Sequence, residues 1–594
     1  MTIDTSNIST LWATLIIEEL IRNDVNYFVI SVGSRSTPLT VAVARHSRAK
    51  NLVVFDERSA AFLAVGYARA TGNPAVLIST SGTASANYFP AVIEASTDTI
   101  PLIVLSADRP PELHQTGANQ TIQQFNLYGN YTKWQFNLPC PEQNILPAMV
   151  LTTINQAIYQ ARKSPAGTVH INCMFREPLT PNNVDIDEIY LASLNQWQQQ
   201  HKPYTQYTYS ISIPNPTSIN QLANIINRTS RGIIVVGRLN NQADIQAVVQ
   251  LAEKLNWPVF TDIQSRIRLS NSLSNLINYY DRLLLIDVLN EGQPLDTILQ
   301  FGNSVTSKTF LQLLNQHQFS HHIVVIENDL RSDPEHTVSL RIDANIAEVC
   351  NLLLPYIHIT NSLDWVRQLK QKSQLVHQSI DEFLFSRQEI SEPAVARIIS
   401  RYIPQNHGLF LASSMPIRDM DMYAAPESSI IPVAANRGTS GIEGTIASAI
   451  GFAAGLNSPV TLLIGDLSFL YDLNSLALLK SISQPIIIVV VNNNGGGIFS
   501  FLPIANFQDV FEQYFGVPHG IKFQCAAHMF GIDYYAPDTN DAFILAYQEA
   551  VNNQHSAVIE VATNRNANYS LHKELQEKII EDLQNSVVPS LETV

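Results

Sequence analysis

Two apolar runs in the last quarter of the chain constrain its fold most. Residues 459–464 run into Gly465-Asp466, and residues 486–491 run into Asn492-Asn493-Asn494-Gly495-Gly496-Gly497. Runs of this length are typical of strands buried on both faces of a parallel sheet. In such sheets the loops at the carboxyl ends of the strands carry the ligand site. The sequence therefore predicts a site where these two strands end.

The residues at these two strand ends favour a hard cation bound next to phosphate. Asp466 offers a carboxylate, the asparagines offer amide oxygens, and the glycines leave the backbone open. Such an all-oxygen set is what a cation in contact with phosphate prefers. Asp466 and Asn493 are 27 residues apart, which fits one strand–helix–strand crossover.

Size and charge exclude several classes of function. A chain of 594 residues is too long for one core and predicts three or four domains. Its net charge of −15 argues against nucleic acid or an anionic membrane as a general partner. No apolar run reaches 18 residues, so no membrane insertion is expected.

The N-terminal residues and the cysteines predict a cytoplasmic protein. The first residues lack the basic and apolar segments of a secretory signal. Four cysteines lie far apart without a CxxC pair, which is typical of a reducing compartment. Each is expected to be a small buried residue rather than a ligand or nucleophile. They are Cys140, Cys173, Cys350 and Cys525.

Alternating helix and strand patterns predict an α/β fold with three doubly wound parallel-sheet domains. Strands are expected in the first domain at 27–31, 52–55, 75–80, 101–106 and 168–173, in the second at 232–236, 258–261, 283–286 and 323–326, and in the third at 408–412, 459–464, 485–491 and 557–561. The predicted segments are an N-terminal domain (1–185), a polar linker (186–215), a central domain (216–360), a helical connection (361–389) and a C-terminal domain (390–594).

Glu57 is a candidate proton-transfer residue. It follows a predicted strand within Asp56-Glu57-Arg58. A charged loop at a strand end is the simple interpretation of this tripeptide. A shielded glutamate facing a cofactor could instead exchange a proton with a ring nitrogen, since burial raises a carboxyl pKa toward neutrality.

Glycine-rich segments before small-residue helices form a second candidate feature. Residues 436–444 precede one such helix, and residues 79–83 precede another. Glycines allow close backbone approach, and a helix start offers unpaired N–H groups to an anion. A structural turn is the alternative for both segments.

Four arginines follow predicted strands at positions expected to be loops: Arg35, Arg109, Arg418 and Arg437. An isolated loop arginine is usually solvated. Guanidinium groups at the strand ends of an α/β fold, however, suit carboxylates through paired hydrogen bonds. In a chain of net charge −15, they indicate a small, multiply anionic substrate.

Together these residues resemble a known family. The Gly465-Asp466 to Asn493 arrangement resembles the diphosphate- and metal-binding motif of thiamine-diphosphate enzymes. Those enzymes have three α/β domains, and the resemblance extends over essentially the whole chain. More narrowly, the chain is similar to the 2-succinyl-5-enolpyruvyl-6-hydroxy-3-cyclohexene-1-carboxylate synthase (MenD) family. The strings that carry this likeness are residues 33–38, 106–113, 117–120, 436–441, 465–472 and 492–499. Many thiamine-diphosphate enzymes have glycine where this chain has Leu467, a departure that the MenD family shares.

The resemblance implies a reaction between 2-oxoglutarate and isochorismate. The cofactor ylid attacks the 2-oxo carbon, carbon dioxide leaves, and the succinyl carbanion equivalent adds to isochorismate in a 1,4 sense. Thiamine diphosphate carries this chemistry with Mg²⁺, or with Mn²⁺ in its place. Menaquinone and phylloquinone biosynthesis both contain this step, and the sequence does not distinguish them.

The resemblance also implies roles for residues of this chain. Glu57 pairs with the aminopyrimidine nitrogen, and Ile442 holds the cofactor in a V shape. Asp466, Asn493 and the Gly495 carbonyl hold the metal. Catalytic roles fall to Glu57, Arg35, Arg109, Gln120, Ser414, Arg418 and Arg437. Substrate contacts fall to Ser34, Arg35, Arg109, Asn119, Gln120, Lys308, Ser414, Arg418, Arg437, Ile498 and Phe499. Cofactor contacts fall to Glu57, Ser440, Gly441, Ile442, Gly465, Asp466, Leu467, Ser468, Asn493, Gly495, Gly496, Gly497 and Ile498.

Two further points follow from the resemblance. Some relatives have two adjacent basic residues in the central domain, whereas here Lys308 is followed by Thr309, which removes one cation.

Family members form homodimers or homotetramers, with the cofactor between the first domain of one subunit and the third domain of its partner. An isolated monomer is therefore expected to be inactive.

Two other functions are compatible with parts of the pattern. Another thiamine-diphosphate 2-oxo-acid decarboxylase or carboligase, such as an acetolactate synthase, would share the cofactor motif but not the set of arginines. A non-catalytic protein that senses the cofactor would not need Glu57, Asp466 and Asn493 together.

Overall fold

The structure is a computed structural model that describes residues 3–239, 241–270, 273–286, 288–289, 294–358, 363–427 and 430–586. The chain divides into two compact units. The first comprises Met1–Ser210, Asn436–Ser458 and Tyr471–Gln484, and the second comprises Ile211–Ala435, Pro459–Leu470 and Pro485–Val594.

Helices and strands alternate along most of the described chain. The helices are α1 (Ile8–Arg22), α2 (Thr37–Ala44), α3 (Glu57–Thr71), α4 (Thr83–Asn87), α5 (Phe89–Thr97), α6 (Pro147–Arg162), α7 (Glu188–Ala192), α8 (Asn195–Gln200), α9 (Pro216–Arg228), α10 (Gln242–Leu255), α11 (Tyr280–Leu283), α12 (Lys308–Gln316), α13 (Ile346–Leu353), α14 (Leu363–Phe385), α15 (Glu392–Tyr402), α16 (Met415–Tyr423), α17 (Thr445–Leu456), α18 (Asp466–Tyr471), α19 (Gln508–Phe511), α20 (Gln524–Phe530), α21 (Asn540–Asn552) and α22 (Arg565–Asn585).

The strands are β1 (Tyr27–Ser31), β2 (Lys50–Val54), β3 (Ala75–Ser79), β4 (Leu102–Asp108), β5 (Trp134–Leu138), β6 (Thr168–Met174), β7 (Gly232–Val236), β8 (Val259–Thr261), β9 (Thr297–Phe301), β10 (His321–Ile326), β11 (Leu340–Asp343), β12 (Gly408–Leu411), β13 (Val433–Ala435), β14 (Val460–Gly465), β15 (Ile486–Asn492), β16 (Asp533–Tyr535) and β17 (Ala557–Ala562). Short 3-10 helices cover Pro111–Leu113, Gly129–Tyr131, Ile263–Ser265, Leu354–Tyr356, Leu473–Ser481, Gly497–Phe501 and Pro503–Asn506, and Glu512–Gly516 is a π-helix.

Three parallel sheets form the framework, as the sequence predicts. The strand order is β2-β1-β3-β4-β6-β5 in the first sheet, β11-β10-β9-β7-β8 in the second, and β13-β12-β14-β15-β17-β16 in the third. Central strands such as β3 and β15 are buried along their whole length, which explains their continuous apolar sequences. The predicted α/β class is therefore confirmed.

Parallel pairing places the ends of β14 and β15 side by side. Gly465, the last residue of β14, pairs with Val491, one residue before the end of β15. Asp466 and Asn493 therefore emerge from the same edge of the third sheet, as the two apolar runs predict.

One strand prediction in the central domain is wrong. Residues 283–286 are not a strand, because α11 ends at Leu283 and the chain then turns. The third central strand is β9, residues 297–301. A short apolar run fits a buried helix end as well as a strand, and here Tyr280 and Leu283 pack into the core from a helix. Strands that the sequence did not reveal are β5, β9, β11, β13 and β16, of which β13 and β16 are only three residues long.

The segment predicted as a linker is partly helical. It contains α7 and α8, and Tyr190 and Trp197 of these helices are buried in the core of the first unit. The Trp197 indole donates to the Glu19 carboxylate at 2.7 Å, which fixes α8 against α1. The predicted helical connection contains α14, with residues 361–362 outside the described ranges. The domain bounds themselves stay predictions.

Three cysteines are buried as expected, and one is not. Cys140, Cys173 and Cys350 lie in the interior, where burial raises the pKa of each thiol. Cys525 is exposed, because it lies in the first turn of the surface helix α20. No helix within the described ranges has the length and apolar composition needed to cross a membrane.

Within the first unit, α3 and α17 pack backbone to backbone. A Cβ atom on Gly451 of α17 would lie 1.9 Å from the carbonyl oxygen of Leu63, and one on Gly66 of α3 would lie 1.9 Å from that of Ser448. Only glycine allows this approach. The packing fixes the first residue of α3, Glu57, and the loop that precedes α17.

We expect Gly451→Ala to lower the free energy of unfolding by about 1–3 kcal/mol, since the added methyl group forces two backbones apart. The helix propensity of alanine offsets about 1 kcal/mol of that cost. Gly455→Ala is the matched control on the same helix, because the closest approach of its added Cβ is 2.6 Å, to Ala70 Cβ, against 1.9 Å to a backbone oxygen at Gly451. Thermal and urea unfolding should rank Gly451→Ala below Gly455→Ala, and the reverse order would contradict this packing.

Candidate functional site

The Asp466 carboxylate lies at the carboxyl end of β14, where α18 begins. Its Oδ1 accepts the Leu467 N–H at 2.7 Å, and its Oδ2 accepts the Gly495 N–H at 2.8 Å. One carboxylate thus ties the first strand end to the glycine segment after the second. The residue is 2% exposed, so its negative charge is largely shielded from water.

His519 also contacts this carboxylate. Its Nδ1 accepts the Ile521 N–H at 3.0 Å, so the ring proton is on Nε2. Nε2 lies 3.1 Å from Asp466 Oδ2 and donates to it. The histidine therefore fixes the orientation of the carboxylate.

Asn493 presents an unused oxygen at the same edge. Its amide nitrogen donates to Glu392 Oε1 at 2.9 Å. Its Oδ1 is buried and has no hydrogen-bond partner among the described residues. A buried acceptor without a partner is costly and points to an ion or water at that position. Beside the Asp466 carboxylate, it meets the requirement for an Mg²⁺ ligand.

The glycine segment packs closely against its neighbours, whereas the end of β14 beside it is open. A Cβ on Gly495 would lie 1.9 Å from the Gly516 carbonyl oxygen, at a φ of +132°. By contrast, a Cβ on Gly465 would meet nothing within 4 Å among the described residues. The edge is therefore tightly packed at Gly495 and open at Gly465.

In the described ranges no three His, Cys, Asp or Glu side chains form a group that could hold a metal ion. A cation here would need the mixed set of carboxylate, amide and carbonyl oxygens together with phosphate.

A cavity of about 670 Å³ in the second unit contains three of the predicted substrate residues. Lys308 and Arg418 provide positive charge, and Ile498 provides apolar surface. Phe499 does not line this cavity and lies against Phe515 instead, with ring centroids 5.6 Å apart. The loop after β15 thus extends from the metal-type ligands directly to the cavity wall.

Ser414 and Arg418 reach the site from α16. Ser414 precedes this helix with a φ of +75°, a backbone conformation that is strained for a non-glycine residue. Arg418 lies on α16 rather than in a loop, which corrects the prediction, and its Nη1 donates to the Ser414 carbonyl at 2.5 Å. The strained serine and the arginine are therefore held as one element.

The start of α12 fixes Lys308. Ser307 caps this helix, and its hydroxyl donates to buried Asp281, which also pairs with Arg282. The Thr309 hydroxyl points to the same carboxylate at 3.5 Å. Thr309 thus supports the helix start and supplies no second cation.

The C-terminal helix α22 contributes residues that the sequence did not indicate. Tyr569, His572 and Lys573 line the same cavity as Lys308. Burial lowers the pKa of His572 to about 3, so this side chain is neutral at physiological pH. Lys573 is therefore the cation that α22 brings to the cavity.

In the first unit, Arg35 and Arg109 lie near each other at the carboxyl edge of the first sheet. Arg35 is buried, and its Nη1 donates to the Phe175 carbonyl at 2.9 Å. Burial and the Arg109 guanidinium lower the pKa of Arg35. Arg35 Nη2 lies 3.3 Å from Glu177 Oε1, an exposed carboxylate that partly balances this charge. An anionic ligand beside the two guanidinium groups would balance it further.

The neighbouring loops close on these arginines. The Arg35 N–H donates to the Thr80 hydroxyl at 3.1 Å. A Cβ on Gly82 would lie 3.3 Å from Gln120, so the 79–83 segment contacts the predicted substrate loop. Ser34, Asn119 and Gln120 are exposed at this edge.

Glu57 is the first residue of α3 and is half-buried. Asp56 caps the helix through the Arg58 N–H at 2.8 Å, which fixes the backbone beside Glu57. Asn87 donates to Glu57 Oε2 at 3.3 Å. The carboxylate is thus oriented by one neighbour and remains accessible.

The segment 437–444 is held in the first unit by Glu94. Its carboxylate accepts the Gly438 N–H at 2.9 Å and the Thr439 N–H at 2.8 Å. Burial and the neighbouring Asp98 raise the pKa of Glu94.

The predicted site residues of this segment differ in exposure. Arg437 is half-buried. Ser440, with a φ of +59°, and Ile442, which is 36% exposed, are accessible. A Cβ on Gly441 would lie 2.4 Å from the Glu443 carboxylate.

The described structure brings together several predicted residues within each unit, and it adds residues that sequence reasoning missed. The additional ones are Glu392, His519, Glu94 and the α22 residues. No sequence signal marked them, because each acts through a contact with a residue distant in the chain. Only the proline that follows Glu392 in a helix start could have drawn attention to that position.

Family models match three consecutive parts of the chain. Residues 12–127 match the N-terminal TPP binding domain of thiamine pyrophosphate enzymes, residues 188–411 match the middle domain, and residues 420–561 match the C-terminal TPP binding domain. A solved structure of a putative thiamin diphosphate-dependent enzyme from Mycobacterium smegmatis shares the fold, with a TM-score of 0.70 at 16% identity. It covers 93% of this chain and 99% of its own.

Curated relatives are similar along nearly the full length. A 2-succinyl-5-enolpyruvyl-6-hydroxy-3-cyclohexene-1-carboxylate synthase from Rubrobacter xylanophilus is 44% identical over 571 residues, which is 96% of this chain and 98% of the relative. The synthase of the same name from Prosthecochloris aestuarii is 44% identical over 581 residues, 97% of this chain and 98% of its own. The chain therefore belongs to the 2-succinyl-5-enolpyruvyl-6-hydroxy-3-cyclohexene-1-carboxylate synthase family of thiamine pyrophosphate enzymes.

Proposed function

We propose that this enzyme decarboxylates 2-oxoglutarate and adds the resulting succinyl unit to isochorismate in a 1,4 sense. The observation that carries the proposal is the loop after β15. Its Asn493 offers a buried, unpartnered oxygen beside Asp466, and its Ile498 lines the cavity that holds Lys308 and Arg418. One loop thus joins a metal-type ligand set to the cavity that contains two of the predicted substrate cations.

The cofactor and the metal are assigned from this chain's donor atoms. Asp466, Asn493 and the Gly495 carbonyl would hold Mg²⁺, or Mn²⁺, against the diphosphate. Bound thiamine diphosphate supplies the electron sink for decarboxylation. Glu57 would exchange a proton with the aminopyrimidine nitrogen of the bound cofactor, and Ile442 would support the cofactor. Contacts from Ser440, Gly441, Gly465, Leu467, Ser468, Gly496 and Gly497 complete this part of the proposal.

Each substrate carries two carboxylates, and each unit contains cations that suit carboxylates. Arg35 and Arg109 form a pair at the first sheet's edge, and Lys308 and Arg418 share the cavity of the second unit. Guanidinium groups bind carboxylates through paired hydrogen bonds and orient the reacting carbon. Ser34, Asn119, Gln120, Ser414, Arg437 and Phe499 belong to the same proposed substrate set.

Lys573 replaces the cation that Thr309 does not provide. Thr309 points to Asp281, whereas Lys573 lines the cavity together with Lys308. Its side chain is 68% exposed and lies 3.9 Å from the exposed Glu577 carboxylate, a weak surface pair that a bound carboxylate would replace at little cost.

The proposal includes a homodimer or homotetramer with the cofactor at the subunit interface. Strand β2 lies at the edge of the first sheet. Val53 within this strand is 55% exposed, and Phe55 just after it is 63% exposed. Exposed apolar side chains on a sheet edge favour coverage by another chain. They lie next to Glu57, where a partner subunit would complete the site. A cytoplasmic location and a place in menaquinone or phylloquinone biosynthesis are part of the same proposal.

An assay of the purified protein with thiamine diphosphate and Mg²⁺ tests this function. Consumption of 2-oxoglutarate is followed with and without isochorismate. We expect a carbon–carbon product only when both substrates are present. Succinic semialdehyde as the main product in the presence of isochorismate would instead identify a 2-oxo-acid decarboxylase.

Glu57→Gln should reduce turnover by at least about 100-fold, because glutamine cannot exchange the proton. Binding of thiamine diphosphate, measured by calorimetry with Mg²⁺, should change little. Glu253→Gln is the matched control, since Glu253 is exposed on α10 in the central domain. A Glu57→Gln enzyme with an unchanged rate would refute the assigned role.

Lys573→Met should raise the KM of one substrate about threefold to tenfold, because it removes one partly exposed carboxylate contact. Lys578→Met is the matched control on the same helix, as Lys578 pairs with Asp582 at 3.0 Å and does not line the cavity. Steady-state kinetics with each substrate varied in turn give the result. Equal KM values for both variants would exclude Lys573 from the pocket.

A further inference from the structure

Two neighbouring asparagines at the end of β15 are both held by buried glutamates. Asn492 donates to Glu560 at 2.6 Å, and Asn493 donates to Glu392 at 2.9 Å. The two asparagines differ in whether the amide oxygen accepts a hydrogen bond. Asn492 Oδ1 accepts the Asn494 N–H at 3.2 Å, whereas Asn493 Oδ1 has no hydrogen-bond partner in the described ranges.

Glu392 is placed with little freedom. It is the first residue of α15, after the capping Ser391, and it is 3% exposed. The Thr563 hydroxyl donates to its Oε1 at 3.2 Å, the same oxygen that accepts from Asn493. These two hydrogen bonds and the start of α15 therefore fix the point at which the Glu392 carboxylate can accept from the Asn493 amide.

An asparagine side chain has two nearly isosteric ends, and only its oxygen can bind a cation. If the amide were turned over, its NH₂ group would face the Asp466 edge and its oxygen would face the Glu392 carboxylate. The amide oxygen would then face Glu392 Oε1, the atom that accepts from both Asn493 and Thr563 in the structure. Because Glu392 accepts only from the nitrogen end, its presence selects the orientation that points Oδ1 at the metal position.

We propose that Glu392 is a positioning residue for the metal site, which sets the amide orientation of Asn493 so that its oxygen faces the cation. This inference rests on the proposed function, because it takes Asn493 as a metal ligand. Partners that orient ligands in this way commonly change metal affinity by about 10- to 100-fold.

The test uses Mn²⁺ as the probe, with the full-length protein saturated with thiamine diphosphate. Free Mn²⁺ is measured by electron paramagnetic resonance during a titration, so the readout is metal binding and not activity. We expect Glu392→Ala to weaken Mn²⁺ binding about 10- to 100-fold. Glu392→Gln should stay within about threefold of the wild type, because the glutamine oxygen can still accept from Asn493.

A change at Asn493 separates orientation from general support of the loop. In Asn493→Asp the two oxygens are equivalent, so there is no orientation to select. In that background, adding Glu392→Ala should leave Mn²⁺ affinity within about threefold of the Asn493→Asp value, since no amide orientation remains to be set. An equal loss in both backgrounds would show a merely structural role and overturn the proposal. A Glu392→Gln protein as weak as Glu392→Ala would overturn it as well.

Glu560→Ala is the matched control for Glu392→Ala, since Glu560 accepts from the adjacent Asn492 amide in the same manner. We expect its Mn²⁺ affinity to remain within about threefold of the wild type, because Asn492 binds no metal in this proposal. If Glu392→Ala does not fold, Glu392→Met fills the same volume without an acceptor and takes its place. Wild-type protein that binds no Mn²⁺ with the cofactor would count against the proposed function. Normal binding by wild type, Glu392→Ala and Glu392→Met would count against this inference alone.

Discussion

The parallel alignment of buried strands is the constraint on which the rest of this structure depends. Each interior strand must satisfy its backbone hydrogen bonds in the sheet and bury side chains on both faces. All strands of a sheet then end at the same edge, so polar residues that follow different strands become neighbours. Asp466 and Asn493 meet in this way in the third sheet, and Arg35 and Arg109 do so in the first.

Buried carboxylates do much of the positioning in this protein. Glu94 holds the glycine segment 437–444, Asp281 holds the helix start that bears Lys308, and Glu392 holds Asn493. Each carboxylate is shielded from water, so its hydrogen bonds are stronger than they would be at the surface. The polar backbone and side chains of the candidate site are thereby fixed before any ligand binds, which favours binding and catalysis.

Sequence patterns predict most of the fold because burial leaves a direct record in composition. The apolar runs at 232–236 and 486–491 are strands where predicted. Residues 283–286 fail because four apolar residues fit a helix end equally well. The edge strand β16 escapes notice, since its three residues are not fully buried and leave no apolar run.

The sequence by itself determined the fold class, the family and the ligand-bearing strand ends, because strand burial and glycine-rich turns are local and leave signatures in consecutive residues. Only the tertiary structure decided which distant residues support that site. The contacts of Glu392 with Asn493, and of Lys573 with the cavity that holds Lys308, join positions about 100 residues or more apart. Such contacts depend on how helices pack on the sheet, and no spacing along the chain encodes them.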